Sequence, residues 1–480
     1  MLSSLKTYLA ALLIVATPIC SAAKQPLIYD SDYGPFIDDV FALGLLVNSL
    51  DLVDLKLILA TSDRPELSAT CIAAQLELSG HSEIEVAVGS PFPDYSIRGS
   101  VCAIPGILGF AMEPECNEYT GPPPIENGVE YTANMIMESG RDDWWYLVVG
   151  GQSSLRSLIE LYPEAAAKID TVIVMAGNWC ADFEPYPDVM APTDETNIGC
   201  DPAAANFVLD GNNIQFNNVY YVPVVMADEI GGDDYKIFLD ATATNAAANA
   251  TLTWYKIWSA AGRADENLLV HAEAMAYDPD TESTPQFDPV AVMLLLELLV
   301  DDCDRMTVFE MEGIHFYEAD DEGLQPFPAA PRSAFSLHTG LPDAATLPAE
   351  CPNITSFTFD VADTPEMEYP VQVALGFKSP ADKAAVYADM ARRMAGETVL
   401  CGIDTSTLFT DAPVAPPTNA TDAPVAAPTD APVVPPTDAP VAASSDAPVA
   451  PPTGDALDES SGVSTLGWFS AMVVVGLLLF

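Results

Sequence analysis

The chain has 480 residues, with 70 acidic side chains against 17 basic ones and a formal charge of −53. A surface this negative repels phosphate backbones and anionic membranes, which argues against nucleic-acid binding. The length covers one large folded domain together with terminal segments of a different composition.

Residues 1–23 read as a secretory signal, with Lys6 near the start, an apolar run over 8–19 and Ser21-Ala22-Ala23 as a small-residue cleavage site. Cys20 leaves with that segment. The remaining cysteines, 71, 102, 116, 180, 200, 303, 351 and 401, are even in number, which suits disulfides in a secreted chain; their spacing leaves the pairing open. None forms a C-x-x-C pair, which argues against zinc.

The apolar run Pro26-Leu27-Ile28-Tyr29 reads as a strand. It leads directly into Asp30-Ser31-Asp32-Tyr33-Gly34-Pro35-Phe36-Ile37-Asp38-Asp39, and residues 40–46 then read as a helix. Carboxylates gathered at a strand end repel one another unless something positive lies among them. A hard divalent cation, which takes oxygen ligands, answers that need. A solvated acidic turn with a helix cap is the simpler alternative.

Further along, 53–61 reads as a strand and 65–80 as a helix with proline in its first turn. Strands follow over 85–89, 144–151, 171–177 and 218–228, with helical periods over 153–169 and 202–210. Residues 231–300 read as mostly helical, and 306–318 returns to strand-like alternation. Apolar strands alternating with helices predict an α/β fold, a doubly wound, mostly parallel sheet flanked by helices, over residues 24–405.

Beyond it, 406–456 is rich in Pro, Thr and Ala and repeats Asp-Ala-Pro-Val from Asp411, Asp422, Asp430, Asp438 and Asp446. Proline at this density predicts a disordered, extended stalk. Residues 457–480 pass from small and polar to apolar, the pattern of a cleaved glycolipid-anchor signal. Sequons occur at Asn249, Asn353 and Asn419. The expectation is a secreted or surface-tethered glycoprotein held to the membrane by its C-terminal end.

Several strand ends carry polar residues. Met175-Ala176-Gly177-Asn178 closes one strand, and Asp194-Glu195-Thr196-Asn197 lies downstream. In an extended segment Glu195 and Asn197 point the same way, and a carboxylate beside an amide suits sugar hydroxyls. Asp201 before Pro202 reads as a helix N-cap. Asp288, in Phe287-Asp288-Pro289, opens a long apolar helix and taken alone reads as its cap. Tyr255 and Trp258 are spaced for one helix face, which favours core packing over stacking on a ligand.

Together these segments resemble the inosine–uridine-preferring nucleoside hydrolase family over about residues 26–318. The family's opening signature, Asp-x-Asp-Pro-Gly-x-Asp-Asp-Ala, is met by Asp30, Asp32, Gly34, Asp38 and Asp39, with Tyr33 for the proline and two extra residues before Asp38. Val149-Gly150-Gly151-Gln152-Ser153-Ser154 is similar to its Thr-Gly-Gly-Leu-Thr-Asn, and Met175-Ala176-Gly177-Asn178 to its Met-Gly-Gly-Gly. Glu195-Thr196-Asn197 with Asp201-Pro202-Ala203-Ala204 looks like its Glu-Phe-Asn followed by Asp-Pro-Glu-Ala-Ala. Phe287-Asp288-Pro289 looks like its late His-Asp-Pro.

The resemblance implies hydrolysis of ribonucleosides to ribose and free base, with Ca²⁺ in the pocket floor. It places Asp32, Asp39 and Asp288 on the ion through their carboxylates and Val149 through its carbonyl. Asp32 is the implied general base. Asp38, Glu195, Asn197 and Asn178 are implied contacts of the substrate, and Asp30 is implied to orient the loop. Phe287 replaces the family's histidine and has no proton to give; His271, upstream, is a candidate contact of the leaving base.

Two other readings compete. Asp30-Ser31-Asp32 also resembles the nucleophile motif of haloacid-dehalogenase-like phosphatases. A catalytically degenerate binding or adhesion protein on a hydrolase fold would fit the stalk and the missing histidine.

Overall fold

The computed structural model describes residues 22–34, 36–93, 112–177, 196–265, 270–301, 303–311, 314–316, 333–335, 371–407 and 409–410. Eight strands form one sheet: β1 (Gln25–Ser31), β2 (Val53–Ala60), β3 (Glu85–Val88), β4 (Trp144–Val148), β5 (Ile169–Met175), β6 (Asn218–Val222), β7 (Met306–Met311) and β8 (Val371–Phe377). Their order across the sheet is β7-β8-β6-β5-β4-β1-β2-β3. All neighbours pair in parallel except β7 with β8. The expected mostly parallel sheet is present.

The central strands are buried on both faces, and so they read as continuous apolar runs rather than alternating ones. The chain winds outward from β1 to β3, then returns to place β4 on the other side of β1. Reversal of winding opens a crevice at the carboxyl ends of those two strands, which is where parallel α/β sheets bind ligands.

The helices that matter for that crevice are α1 (Asp38–Val47), α2 (Pro65–Ser79), α3 (Gly128–Ser139), α4 (Ser153–Leu161), α5 (Thr196–Cys200), α6 (Pro202–Leu209), α7 (Gly232–Ala241), α8 (Ala246–Ala264), α9 (His271–Ala276), α10 (Phe287–Leu298) and α11 (Pro380–Met394). Every residue of α1 is buried, and α10 is buried from Asp288 to Glu297. Helices apolar all round belong inside a core rather than on its surface.

Several expectations are corrected. The helical period over 153–169 breaks after Leu161, where Pro163 opens a separate short helix, and Ile169 already belongs to β5. The strand begun at Asn218 stops at Val222, because Pro223 has no amide hydrogen for the ladder. Within the helical stretch, Glu282–Pro285 is a strand paired antiparallel with Glu229–Gly231. Asn197 lies in helix α5, not in an extended segment.

α11 closes the domain through buried cations. Arg305 bonds Asp389 at 2.8 Å and Glu297, and the fully buried Arg393 bonds Asp51 at 2.7 Å. Unpaired, such charges would be prohibitively costly inside the protein. Disulfides join Cys71 to Cys116 and Cys303 to Cys401. The latter pair groups with Glu297 as three potential metal-ligating residues, but its sulfurs are already bonded to each other.

Among the described residues no helix is long and apolar enough to cross a membrane. The proposed stalk beyond Thr410 and the anchor signal lie outside the described residues. So does the signal segment apart from Ala22–Ala23, which pairs with Phe409–Thr410.

Candidate active site

Asp30 ends the buried part of β1 and is wholly enclosed. Tyr146 on β4 donates to its Oδ2 at 2.8 Å, and Thr61 beyond β2 donates to its Oδ1. Burial pushes its carboxyl up to about 7, with the bonds from Thr61 and Tyr146 pulling the other way. Both oxygens are thus occupied by neighbouring strands, and the residue acts as a brace. A covalent nucleophile needs an accessible oxygen, which removes the phosphatase reading for Asp30.

Asp32 lies just past β1 and is 7% exposed. Gly150 makes room for it: a Cβ on that glycine would stand 2.8 Å from the Asp32 backbone nitrogen and from its Cβ. Tyr33, at the position of the family's proline, is buried and donates to Gln75 of α2 at 2.5 Å; Gln75 in turn donates to the Val40 carbonyl at 2.9 Å. These bonds tie the lengthened loop to α1 and α2 on either side of the insertion.

Asp38 and Asp39 are the first two residues of α1, whose N-cap is Ile37, and Asp288 is the second residue of α10, whose N-cap is Gln286. Neither N-cap residue makes a side-chain cap bond. Asp288 is therefore not the simple cap its position suggested. The carboxylates stand in the first turns of both helices, where the positive dipole end stabilises them.

One oxygen each from Asp38, Asp39 and Asp288 lies within 4.8 Å of the others. Ser31 donates to Asp39 at 2.5 Å. Carboxylates this close repel one another when ionised, and a proton or a cation among them relieves that repulsion. Burial first, and the Asp38 charge second, push the Asp39 carboxyl well above the usual range. An all-oxygen, buried, over-charged donor set of this kind fits a hard divalent cation.

Val149 follows β4, and its amide donates to the Asp30 carbonyl at 2.8 Å. Asn197 donates its side-chain nitrogen to the carbonyls of Val149 and Met175, each at 2.9 Å. It thereby pins the ends of β4 and β5 together. Asp201 caps α6 through the Ala204 amide at 2.9 Å, as expected, and also accepts from Ser153 at 2.5 Å. Asn178 and Glu195 lie outside the described residues.

α8 packs against α1 and against α9. His271 bonds the Gly262 carbonyl through Nδ1 at 2.8 Å, so that nitrogen carries the hydrogen. Tyr255 and Trp258 are fully buried, with Tyr255 edge-on to Phe41 of α1 at 5.3 Å between ring centroids. They are core residues.

Two titratable residues escaped the sequence reading. Tyr29 is buried, and its hydroxyl is pushed well up by burial and by the charges of Asp39 and Asp288. Glu273 on α9 feels the charge of Asp38; burial, then that charge, push its carboxyl up to about 8. The one available signal was an acid two residues after the sole histidine of that segment.

A carboxylate floor at the switch point of a parallel sheet, built from oxygen donors alone, defines a site for a hard cation and a polyhydroxylated ligand. The chain matches the model of the inosine-uridine preferring nucleoside hydrolases over residues 27–407, and it belongs to that family. It is 29% identical over 212 residues to the pyrimidine-specific ribonucleoside hydrolase RihA of Klebsiella pneumoniae, covering 42% of this chain and 59% of that relative. The match to RihA of Salmonella paratyphi A is also 29%, over 213 residues and 59% of that protein. The chain thus spans under two thirds of the curated relatives it matches. The solved plant nucleoside hydrolase PpNRh1 shares the fold, with a TM-score of 0.50 at 18% identity, over 77% of this chain and 99% of that one.

Proposed function

We propose that the chain hydrolyses the N-glycosidic bond of ribonucleosides to ribose and free base, with Ca²⁺ as its cofactor. One observation carries the reading: Asp38, Asp39 and Asp288 converge from two helix starts, with one oxygen of each within 4.8 Å of the others. Asp32, Asp39, Asp288 and the Val149 carbonyl would hold the ion. When bound, it lowers the pKa of a water molecule and fixes where that water lies.

Asp32 then accepts the proton as the water attacks the anomeric carbon. Asp38, with Glu195 and Asn178, holds the sugar hydroxyls. Asn197 fixes the strand ends that bear the Val149 carbonyl. Positive charge develops on the sugar as the bond to the base breaks, and the acidic floor favours it. Extracellular nucleoside salvage from a lipid-anchored position follows from the signal, stalk and tail.

The test is to incubate the purified chain with uridine, cytidine, inosine, adenosine and guanosine and to assay for reducing sugar. Uridine and cytidine come first, since the curated relatives are pyrimidine-specific. Activity should vanish with a chelator and return with Ca²⁺. Phe287 in place of histidine favours a degenerate binding protein as the second reading. Release of no sugar from any nucleoside, with Ca²⁺ bound, would establish that reading instead.

A further inference from the structure

We infer that Phe92 is a positioning residue for the turn Val149–Gly151, its ring keeping that turn seated against Asp32. This assignment rests on the nucleosidase reading above and deepens it, and its effect is read in Ca²⁺ binding as well as in turnover.

The turn lies against two side chains. A Cβ on Gly150 would stand 2.8 Å from the Asp32 Cβ, and a Cβ on Gly151 would stand 2.5 Å from Cε1 of the Phe92 ring. Neither glycine has the left-handed φ that favours this residue type. Space is therefore what each supplies: one lets Asp32 approach the backbone, and the next lets the Phe92 ring do so. Val149, immediately before them, donates its amide to the Asp30 carbonyl at 2.8 Å, and its carbonyl accepts from the Asn197 side chain at 2.9 Å. Hydrogen bonds thus hold the strand side of the turn, and the ring holds it at Gly151.

Phe92 is itself fixed. Its amide donates to the Ser62 carbonyl at 3.0 Å, and the Gly89 amide donates to the Ala60 carbonyl at 3.0 Å. Between them the Ser90 amide donates to Ser154 Oγ at 2.8 Å, and the Ser90 and Ser157 hydroxyls bond at 2.9 Å. Pro91 and Pro93 narrow the backbone on either side of the ring. Residues 89–92 are therefore stitched to the end of β2 and to α4.

The ring is 9% exposed, yet it joins neither of the two apolar core clusters among the described residues. It borders a surface hollow shared with Ser90, Ser153, Arg156 and Asp201. A buried aromatic outside the core, pressed on a glycine next to the one that meets Asp32, aligns the turn rather than fills the interior. Without the ring, the Val149 carbonyl and the Asp32 carboxylate lose their fixed spacing. Both oxygens belong to the set that would hold the ion, so Ca²⁺ binding weakens while the fold persists.

The experiment compares Phe92→Ala, Phe92→Leu, Gly151→Ala and the double change Phe92→Ala with Gly151→Ala against the unaltered chain. Ca²⁺ affinity is measured by calorimetric titration, and kcat and KM on uridine and inosine. Phe92→Ala should weaken Ca²⁺ binding on the order of 10-fold or more, whereas Phe92→Leu, which still fills the place, should stay within about threefold. Gly151→Ala, whose methyl meets the ring, should weaken binding on the order of 10-fold in the unaltered chain and add little once the ring is gone, since groups in contact are not additive. Melting curves without Ca²⁺ show which variants are folded. A folded Phe92→Ala that binds Ca²⁺ as the unaltered chain does, or losses that simply add, would overturn the assignment while leaving the nucleosidase reading intact. Should Phe92→Ala fail to fold, Gly151→Ala decides, and unchanged Ca²⁺ binding by it overturns the assignment. An unaltered chain that neither binds Ca²⁺ nor releases sugar would sink the nucleosidase reading, and this assignment with it.

Discussion

The floor of the crevice and the helix α9 are held by opposite means. Side chains on the floor are short, acidic and buried, presented by β1 and by the first turns of α1 and α10. They oppose one another and are held in place by burial, by helix-end dipoles and by braces such as Tyr146 on Asp30. The helix α9 is fastened through main-chain carbonyls by Arg263 and His271. Repelling carboxylates are thus held inside the core, whereas α9 is a short element held by few bonds.

Changes on the floor should have the largest effects. Asp39→Asn should lower kcat/KM for any hydrolysed nucleoside on the order of 1,000-fold, since the groups that position and charge the reacting centre are lost together. Its chelator-treated form should melt no lower than the unaltered chain, because one repelling carboxylate is gone. Calcium should raise the melting temperature of the unaltered chain only. A variant that keeps its activity would remove Asp39 from the metal site.

The next effect in size is on stability with pH. Asp30 is raised from 3.8 to about 7, and Glu273 from 4.5 to about 8. Between those limits the unfolded chain has released protons that the folded chain keeps, so stability must fall as pH rises. In calcium-free urea unfolding, the loss assignable to Asp30 from about pH 4 to 7 is on the order of 4 kcal/mol. Asp30→Asn should flatten that slope; an unchanged slope would break the contrast between a charged floor and a bonded helix.

Where α8 meets α9, Gly262→Ala should cost about 1–3 kcal/mol in urea unfolding by overpacking against Ala274. The smallest effect expected is that of Arg263→Lys, about 1 kcal/mol in urea unfolding, because one of two carbonyl bonds is lost while the charge remains.

Much of the floor was legible in the chain because its residues are near neighbours. Asp30, Asp32, Asp38 and Asp39 fall within ten positions after an apolar run, and no fold is needed to see that they crowd. Asp288 was recognisable only beside the family pattern, since an acid at a helix start usually serves as a cap. The contact of Phe92 with Gly151 was not legible at all, because the two are far apart in the chain. The helix α11 and strand β8 were missed for a similar reason. The ion pairs that hold α11, Arg393 with Asp51 and Arg305 with Asp389, join residues far apart in the chain.

The sequence by itself determined the parallel sheet, through uninterrupted apolar strands alternating with helices, and the acidic cluster at the end of the first of them. Both depend on residues close in the chain, where spacing and hydrophobicity act directly. Only the tertiary structure decided that α1 and α10 start close together, so that oxygens of Asp38, Asp39 and Asp288 gather within 4.8 Å of one another. It also decided that Asn197 ties two strand ends and that α9 packs against α8 at Gly262 and Ala274. Those placements follow from the winding order of the sheet and the close contact of α8 with α9, which arise only once distant segments pack.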